Sequence, residues 1–389
     1  MSQNGAGLEV GRDPGLRCPS VLLARRDLIV AKGRFLLMGT VVALIAMLGV
    51  LLAGLAVGLV DDGTSGLMRL PVTHLAFQPG SEATFSRSFM PADAVDKLRG
   101  DGVEEAAPLG VALFNAKLEQ GGSKPKVVDV ALFGVERESF ISPTPVAGTG
   151  LAGSGPAPVV ISQQLADEGV KVGDQLVVGL DSTALNVVGI SDVGTYGHVP
   201  VAYTDLPTWE QVTPGATTPS GRGLVSSVAL KLSPDASVKV GDRAGVDVLT
   251  KKESFAGSPG YAAETATMSL IRGFLLVISA LVVAAFFTVW TVQRRDQIGL
   301  LKAMGASDRY VVGDAMLQVL ILLVVATVVG TLLGLVLGSI FPAEAPFTLT
   351  VSSVVGAGVA LVVAGLLGSL VAVRRITSVD PLVALGSSR

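Results

Sequence analysis

Between Gln293 and Ser307 the side chains fall into two sets. Ile298, Leu301 and Met304 recur at three-residue spacing with Leu300 beside them, and Arg294, Arg295 and Lys302 stand around them. On a helix this spacing puts the apolar groups along one edge, with positive charge next to it. The chemistry on offer is recognition, not bond making. Such a helix fits a groove on a partner protein, or rests on anionic lipid. Gly305, followed by Ala306 and Ser307, permits the chain to turn after it.

Elsewhere little points to catalysis. His74 and His198 are the only histidines, and Cys18 is the only cysteine. There is no G-x-S-x-G elbow, no H-E-x-x-H and no pair of histidines at metal spacing, so neither a catalytic residue nor a metal site is expected. A single cysteine excludes an intrachain disulfide and a C-x-x-C centre. Asp61-Asp62 and Glu104-Glu105 are adjacent pairs, and sequence neighbours do not usually converge on one substrate. No G-x-x-x-x-G-K-[ST] is present to cradle nucleotide phosphates.

The elements that must position these residues are dominated by apolar runs. Half of the 389 residues are hydrophobic and 16% are charged, against about 25% in soluble domains. Phe35 to Val60 is uncharged, and so are Gly273–Val292, Ala315–Ala343 and Pro346–Val373. Transmembrane helices are therefore expected over 35–60, 273–292, 315–341 and 347–373. The first run ends at Asp61-Asp62 without a small-x-small cleavage site and reads as a retained anchor, not a signal peptide.

Charge sets the orientation. Arg25, Arg26, Lys32 and Arg34 precede the first run, Arg294, Arg295, Lys302 and Arg309 lie between the second and third, and Arg374 and Arg375 follow the fourth. Residues 61–272 hold 16 Lys+Arg against 24 Asp+Glu, a net of −8, which leaves +5 for the rest of a chain of net −3. By the positive-inside rule both termini and the 293–314 segment are cytoplasmic, and 61–272 and the 342–346 turn are outside. This predicts a multi-pass protein of the cell membrane in contact with lipid, and the net charge implies no nucleic-acid partner. Residues 1–19, rich in Gly and polar groups, are expected to be disordered. In 20–34, Val21, Leu22, Leu23, Leu28 and Ile29 alternate with basic residues as in an amphipathic interfacial helix. Residues 374–389 form a cytoplasmic tail.

The segment 61–272 reads as an α+β domain inserted between the first and second spans. Strands are expected over Val127–Val135, Pro158–Ile161, Gln175–Leu180, Leu185–Ile190 and Ser227–Leu232, and short helices over Ala92–Arg99 and Ser162–Glu168. The Gly- and Pro-rich stretch Pro143–Pro158 reads as a loop between two lobes.

Three stretches carry a family resemblance. Gln293–Ser307, QRRDQIGLLKAMGAS, resembles the cytoplasmic motif E-R-R-R-E-I-G-L-L-K-A-L-G-A-S of the FtsX/MacB-type ABC transporter permeases. Val159–Leu176 with Leu185–Ile190 is similar to the outer-domain segment in which a helix leads into V-G-D and two strands. The ending Arg374–Leu385, RRITSVDPLVAL, is like the family's closing R-R…P-x-x-A-L. Gln293 and Gln297 depart from the pattern, standing where acidic residues are common in the family.

The resemblance implies a permease subunit that works as a homodimer with a separate ATPase. ATP would bind to that partner, and this chain would bind no cofactor of its own. Arg294, Arg295, Ile298, Leu301, Lys302, Met304 and Gly305 would then form the ATPase-coupling segment. Gly54 and Gly58 form G-x-x-x-G in the first span, and Gly330, Gly334 and Gly338 repeat it in the third. Since the family places its first and second spans near the twofold axis, Gly54 and Gly58 are the expected dimer contact. The expected function is export or extraction of a hydrophobic or amphipathic compound. The alternative is a mechanotransmitting subunit that regulates an extracellular cell-wall hydrolase or other partner. Stand-alone four-span members include haem-efflux subunits, which makes haem the first guess at a substrate and Met68, His74, Tyr196, His198 and Tyr261 its candidate ligands.

Overall fold

A computed structural model describes residues 32–119, 126–218, 221, 223–234, 236, 238–342 and 345–377. The expected tail over 1–19 and all of the expected interfacial helix before Lys32 lie outside these residues. The helices are α1 (Lys32–Met68), α2 (Ala94–Leu98), α3 (Gln163–Asp167), α4 (Leu206–Val212), α5 (Tyr261–Gln293), α6 (Arg295–Ala303), α7 (Asp308–Gly338) and α8 (Val351–Thr377). The strands are β1 (His74–Phe77), β2 (Met90–Pro91), β3 (Val103–Glu119), β4 (Lys126–Val135), β5 (Ala147–Gly148), β6 (Pro158–Ser162), β7 (Gln175–Val178), β8 (Thr183–Ser191), β9 (Thr195–Tyr196), β10 (Val199–Asp205), β11 (Leu224–Val225), β12 (Ser227–Leu232) and β13 (Asp247–Thr250). Helices α1, α5, α7 and α8 are each long and apolar enough to cross a membrane.

Two of these helices outrun their apolar runs. Helix α1 passes Asp61 and Asp62 and continues to Met68, and α5 begins at Tyr261, well before Gly273. The expected boundaries at 61 and 272 therefore fall inside helices. Charge marks where an apolar stretch ends, but Asp and Arg do not stop a helix, and no proline intervenes. The fourth helix starts later than expected, at Val351, with a reciprocal cap. The Ser353 N–H donates to Thr350 Oγ1 and the Thr350 N–H donates to Ser353 Oγ, both at 3.3 Å.

The chain divides into two units. One holds residues up to Leu51, Gly273–Leu337 and Val354 onward, and the other holds Leu52–Arg272 with Gly338–Ser353. In the first, Phe35, Met38 and Val42 of α1, Val283 and Phe287 of α5, Val319 and Leu323 of α7 and Leu361 of α8 share one buried cluster. Glycine lets the backbones come together there. A Cβ at Gly330 would lie 2.1 Å from the Ala43 carbonyl oxygen, and one at Gly368 would lie 2.3 Å from that of Ala280. The small-residue repeat of α7 thus serves, at Gly330, packing on α1 of the same chain.

The second unit is built on one mixed sheet, ordered β13-β1-β12-β3-β4-β10-β6-β8-β5, with β7 pairing β3 and β8, and β9 pairing β10. Its two faces bury separate clusters. Leu98, Leu132, Leu165 and Trp209 lie in one, and Phe77, Phe85, Phe133, Tyr196 and Tyr203 in the other. Burial alternates strictly along the second half of β8, as a strand with one face in a core requires. The five expected strands and two expected short helices are present, with ends shifted by a few residues. The two-lobe reading is corrected, because a single sheet runs across the position of Pro143–Pro158, and that stretch contributes the short strand β5 at its edge.

Gly330→Leu is expected to destabilise the helix assembly by about 1–3 kcal/mol, the usual range for overpacking. Thermal unfolding of the full chain in lipid discs, compared with Gly356→Leu, checks this. A Cβ at Gly356 meets open space, so that variant should melt like the parent.

Candidate functional site

The segment between α5 and α7 is a short helix with firm ends. Arg294 stands at its N-cap and Met304 at its C-cap, and Gly305 takes a φ of +95°, with its N–H donating to the Lys302 carbonyl at 2.9 Å. Two of its three expected positive charges are described, and both are held. The Arg294 guanidinium lies 4.8 Å above the Trp290 ring and its Nε donates to Gln297 Oε1 at 3.0 Å. Lys302 Nζ pairs with Asp308 at 2.7 Å, and its side chain is 16% exposed. The side chains of Arg295 and Leu301 lie outside the described ones.

What α6 offers outward is apolar. Leu300 is 63% exposed and Met304 69%. Ile298 is half-buried and lines, with Leu300, Met304, Trp290, Tyr310 and Val311, a cleft of about 290 Å³. Tyr310, at the start of α7 and exposed, was outside the residues the sequence placed on this edge, whereas Leu300 was named beside them. Its signal was present, since Leu300 and Tyr310 continue the apolar edge through the turn at Gly305.

Gly54 and Gly58 do face a close neighbour, but it belongs to the same chain. A Cβ at Gly58 would lie 2.2 Å from the Pro346 carbonyl oxygen, and one at Gly54 would lie 2.7 Å from the Phe347 ring and 2.9 Å from Leu349. The Thr348 N–H donates to the Gly54 carbonyl at 3.1 Å. Within this chain the groove on α1 is filled by the connection leading into α8.

The five candidate iron ligands do not form a set. Tyr196 is buried against Phe85 and Phe133, its hydroxyl donates to the Gly257 carbonyl at 3.4 Å, and burial raises its pKa above the ordinary phenol value. Met68 and Tyr261 are half-buried against the same cluster. His74 lies on β1 with Nδ1 3.0 Å from Thr73 Oγ1, and burial lowers its pKa although Glu253 acts to raise it. His198 is engaged at both nitrogens, Nδ1 with Asp62 at 2.8 Å and Nε2 with Glu264 at 2.9 Å. As the ring is held here, each nitrogen faces a carboxylate and neither is free for a metal. Among the described residues, no group of three or more His, Cys, Asp or Glu is placed to hold a metal ion.

Several side-chain hydrogen bonds converge on the junction around His198. The hairpin β9–β10 pairs Tyr196 with Val199, which leaves Gly197 and His198 as a two-residue turn with φ of +59° and +64°. Positive φ at both positions is the type I′ pattern, which favours Asn-Gly and makes a histidine there unusual, at a cost of about 1 kcal/mol or more. The hairpin grips the end of α1. Ser65 Oγ and Thr195 Oγ1 lie 2.8 Å apart, and the Gly63 carbonyl accepts from the Gly197 N–H at 2.9 Å and from the Ser258 hydroxyl at 2.7 Å. Gly66 is required here, since a Cβ would lie 2.9 Å from the Thr195 carbonyl oxygen. Lys251 Nζ donates to the Met68 and Leu70 carbonyls at 3.0 and 2.9 Å, at the helix end where a cation is favoured. Nothing in the sequence pointed to this junction beyond the pair Gly197-His198 in a strand-turn-strand context.

Comparison with known proteins adds the following. Residues 269–381 match the model of the FtsX-like permease C-terminal family. The chain is 23% identical over 367 residues, 94% of its own length and 99% of the relative's, to a Staphylococcus epidermidis protein whose provisional name is hemin transport system permease protein HrtB. It is 26% identical over 370 residues, 93% of its own length and 98% of the relative's, to an uncharacterised ABC transporter permease of Mycobacterium tuberculosis. Among solved structures, the periplasmic region of MacB from Actinobacillus actinomycetemcomitans aligns with 47% of this chain and 90% of that one, at 13% identity and a TM-score of 0.34.

Gly58→Leu is expected to lower the melting temperature of the full chain in lipid discs by several degrees without changing its oligomeric state. Size-exclusion chromatography with light scattering checks the second half. Loss of a dimer would restore Gly58 to an interface between copies.

Proposed function

We propose that this chain, an ABC transporter permease of the FtsX/MacB type, couples ATP hydrolysis by a separate ATPase to export or extraction of a hydrophobic or amphipathic compound, with haem the first cargo to test. The single observation that carries the reading is the exposed apolar edge of α6, held between two candidate spans in a chain without a P-loop. Leu300, Met304 and Tyr310 are apolar groups in water, and docking in a partner's groove removes them from it. Arg294 and Lys302, being bound within the chain, act by fixing the helix in place and not as free charges for the partner. In this reading the protein is a homodimer, the basic segments and both termini face the cytoplasm, and the sheet domain lies outside.

The choice of haem follows the name carried by the Staphylococcus relative, aligned over nearly the whole chain. Support from residues is narrower. Both nitrogens of His198 are engaged with carboxylates, so it lends iron binding no support as it stands. The sheet domain does have an apolar groove of about 600 Å³ lined by Phe85, Phe89, Leu113, Tyr196 and Trp209, in the size range of small-molecule sites. Mechanical regulation of an outside partner is the second reading. The continuity of α1 and α5 into the sheet domain favours it, since a continuous helix carries displacement along its length.

The test is ATP hydrolysis by the purified chain with its ATPase partner in lipid discs, with and without haem. Haem is expected to stimulate hydrolysis and to show an absorbance shift. Hydrolysis indifferent to haem and to other amphipathic compounds, with a wall hydrolase co-purifying, would overturn export in favour of mechanical regulation. Leu300→Asp and Met304→Asp place a charge in the docking contact and are expected to cost about 2 kcal/mol or more there, roughly thirtyfold in affinity for the ATPase. Pull-down with unchanged thermal stability checks that loss, and undiminished binding by both variants would remove α6 as the docking element.

A further inference from the structure

The His198 side chain bonds at once to the outrunning ends of both α1 and α5. Nδ1 faces Asp62, in the part of α1 that outruns its apolar stretch, and Nε2 faces Glu264, in the first turn of α5. The imidazole lies against the backbone at Gly63 and Gly260. A Cβ at Gly63 would be 3.6 Å from its Cε1, and Gly260, with a φ of +83°, lies against the Glu264 carboxylate and the ring. The histidine itself takes a left-handed backbone in a two-residue turn where Asn or Gly is the ordinary occupant. Strained backbone of this kind persists where surrounding structure holds it, and it clusters at switching and binding sites.

We propose that His198 is a proton-dependent latch: as imidazolium it donates one N–H to Asp62 of α1 and one to Glu264 of α5, tying both helices to the β9–β10 hairpin, and loss of its proton releases one tie. A neutral imidazole has one N–H and one lone pair. With both nitrogens facing carboxylates, the neutral ring must present a lone pair to one of them, so that contact turns from attractive to repulsive. The latch follows from this geometry alone and does not depend on the cargo or on ATP coupling.

The surrounding charges have the sign the latch needs. Burial lowers the His198 pKa, but the hydrogen bonds to Asp62 and Glu264 and the charges of the same two carboxylates outweigh it, and the net direction is upward from the ordinary 6.5. Asp62 from α1 and Glu264 from α5 are the charged groups acting on the ring. The 257–260 segment presents Gly257, Ser258, Pro259 and Gly260, and the hairpin presents Thr195 and Tyr196, whose hydroxyl is turned to the Gly257 carbonyl. Because the folded-state pKa is raised, the stabilisation is fully present below the ordinary histidine value and is lost as pH rises through the raised one.

The chain has two histidines, so its imidazole signals are few enough to follow one by one. The full chain, labelled at its histidine rings and held in lipid discs, is titrated by NMR, with His74→Gln assigning the remaining signal to His198. The His198 midpoint is expected above that of an ordinary histidine, and to fall to it or below in Asp62→Asn and in Glu264→Gln. A spin-label pair at Asp61→Cys and Ala263→Cys, both exposed, in a Cys18→Ser background reports the two helix ends. Their distance distribution is expected to broaden from about pH 6 to about pH 9, and to lose that response in Glu264→Gln. A midpoint at or below the ordinary value, or a distribution that ignores pH, overturns the latch. A merely structural histidine would move stability without either pH response.

Discussion

Leu67 and Leu70, fully buried under the sheet, stand at and just beyond the end of the helix that begins at Lys32. Everything else in the second unit is arranged around that fact. A helix that crosses lipid satisfies its own backbone hydrogen bonds and can stop wherever water returns. Here it does not stop. It runs on past Asp61 and Asp62 until its apolar residues become part of the domain's core. The domain's hairpin β9–β10 is shaped to the helix, with Gly66 and Gly194 removing the Cβ atoms that would keep the two apart.

The apolar runs made the four long helices legible, because twenty or more residues without a charge leave few alternatives. They did not show where the helices end. Hydropathy reports the thickness of the apolar layer, while helix length is settled by caps and tertiary contacts, such as the Lys251 ammonium at the Met68 and Leu70 carbonyls. In the domain, Ser227–Leu232 was legible as a strand to the residue, being short, apolar and bounded by polar groups. Strand β3 was not. Pro108 and Gly110 interrupt its pattern, and Gly110 is there because Trp209 lies on it, with a Cβ 2.4 Å from the indole. That constraint comes from a helix a hundred residues later, which local pattern does not reveal.

The coupling segment shows the same division between chemistry and placement. The residue types of Gln293–Ser307 identified a short amphipathic helix, and the helix is there. Its basic residues looked like charges for a partner. Two of them instead bind Trp290 and Asp308, so the outward face is more apolar than composition suggested. Spacing shows which side chains share an edge; it does not show which are already paired across the turn that follows. Gly54 and Gly58 make the same point, since a small-residue face predicts a close approach but not what approaches, and within this chain it is the connection into α8.

The candidate ligands make the sharper case. His198 was conspicuous for its type and rarity, and type alone suggested iron. Its function is set by neighbours from two distant stretches, Asp62 and Glu264, which share no motif with it. Those two carboxylates occupy both ring nitrogens and at the same time stabilise the protonated ring. One arrangement thus argues against coordination and for proton binding. It also sits where α1 and α5 enter the sheet domain, so a change in the ring's charge acts on the contact between hairpin and helices, not on a remote surface. A histidine that ties two continuous helices to one turn is placed to govern how tightly they move together.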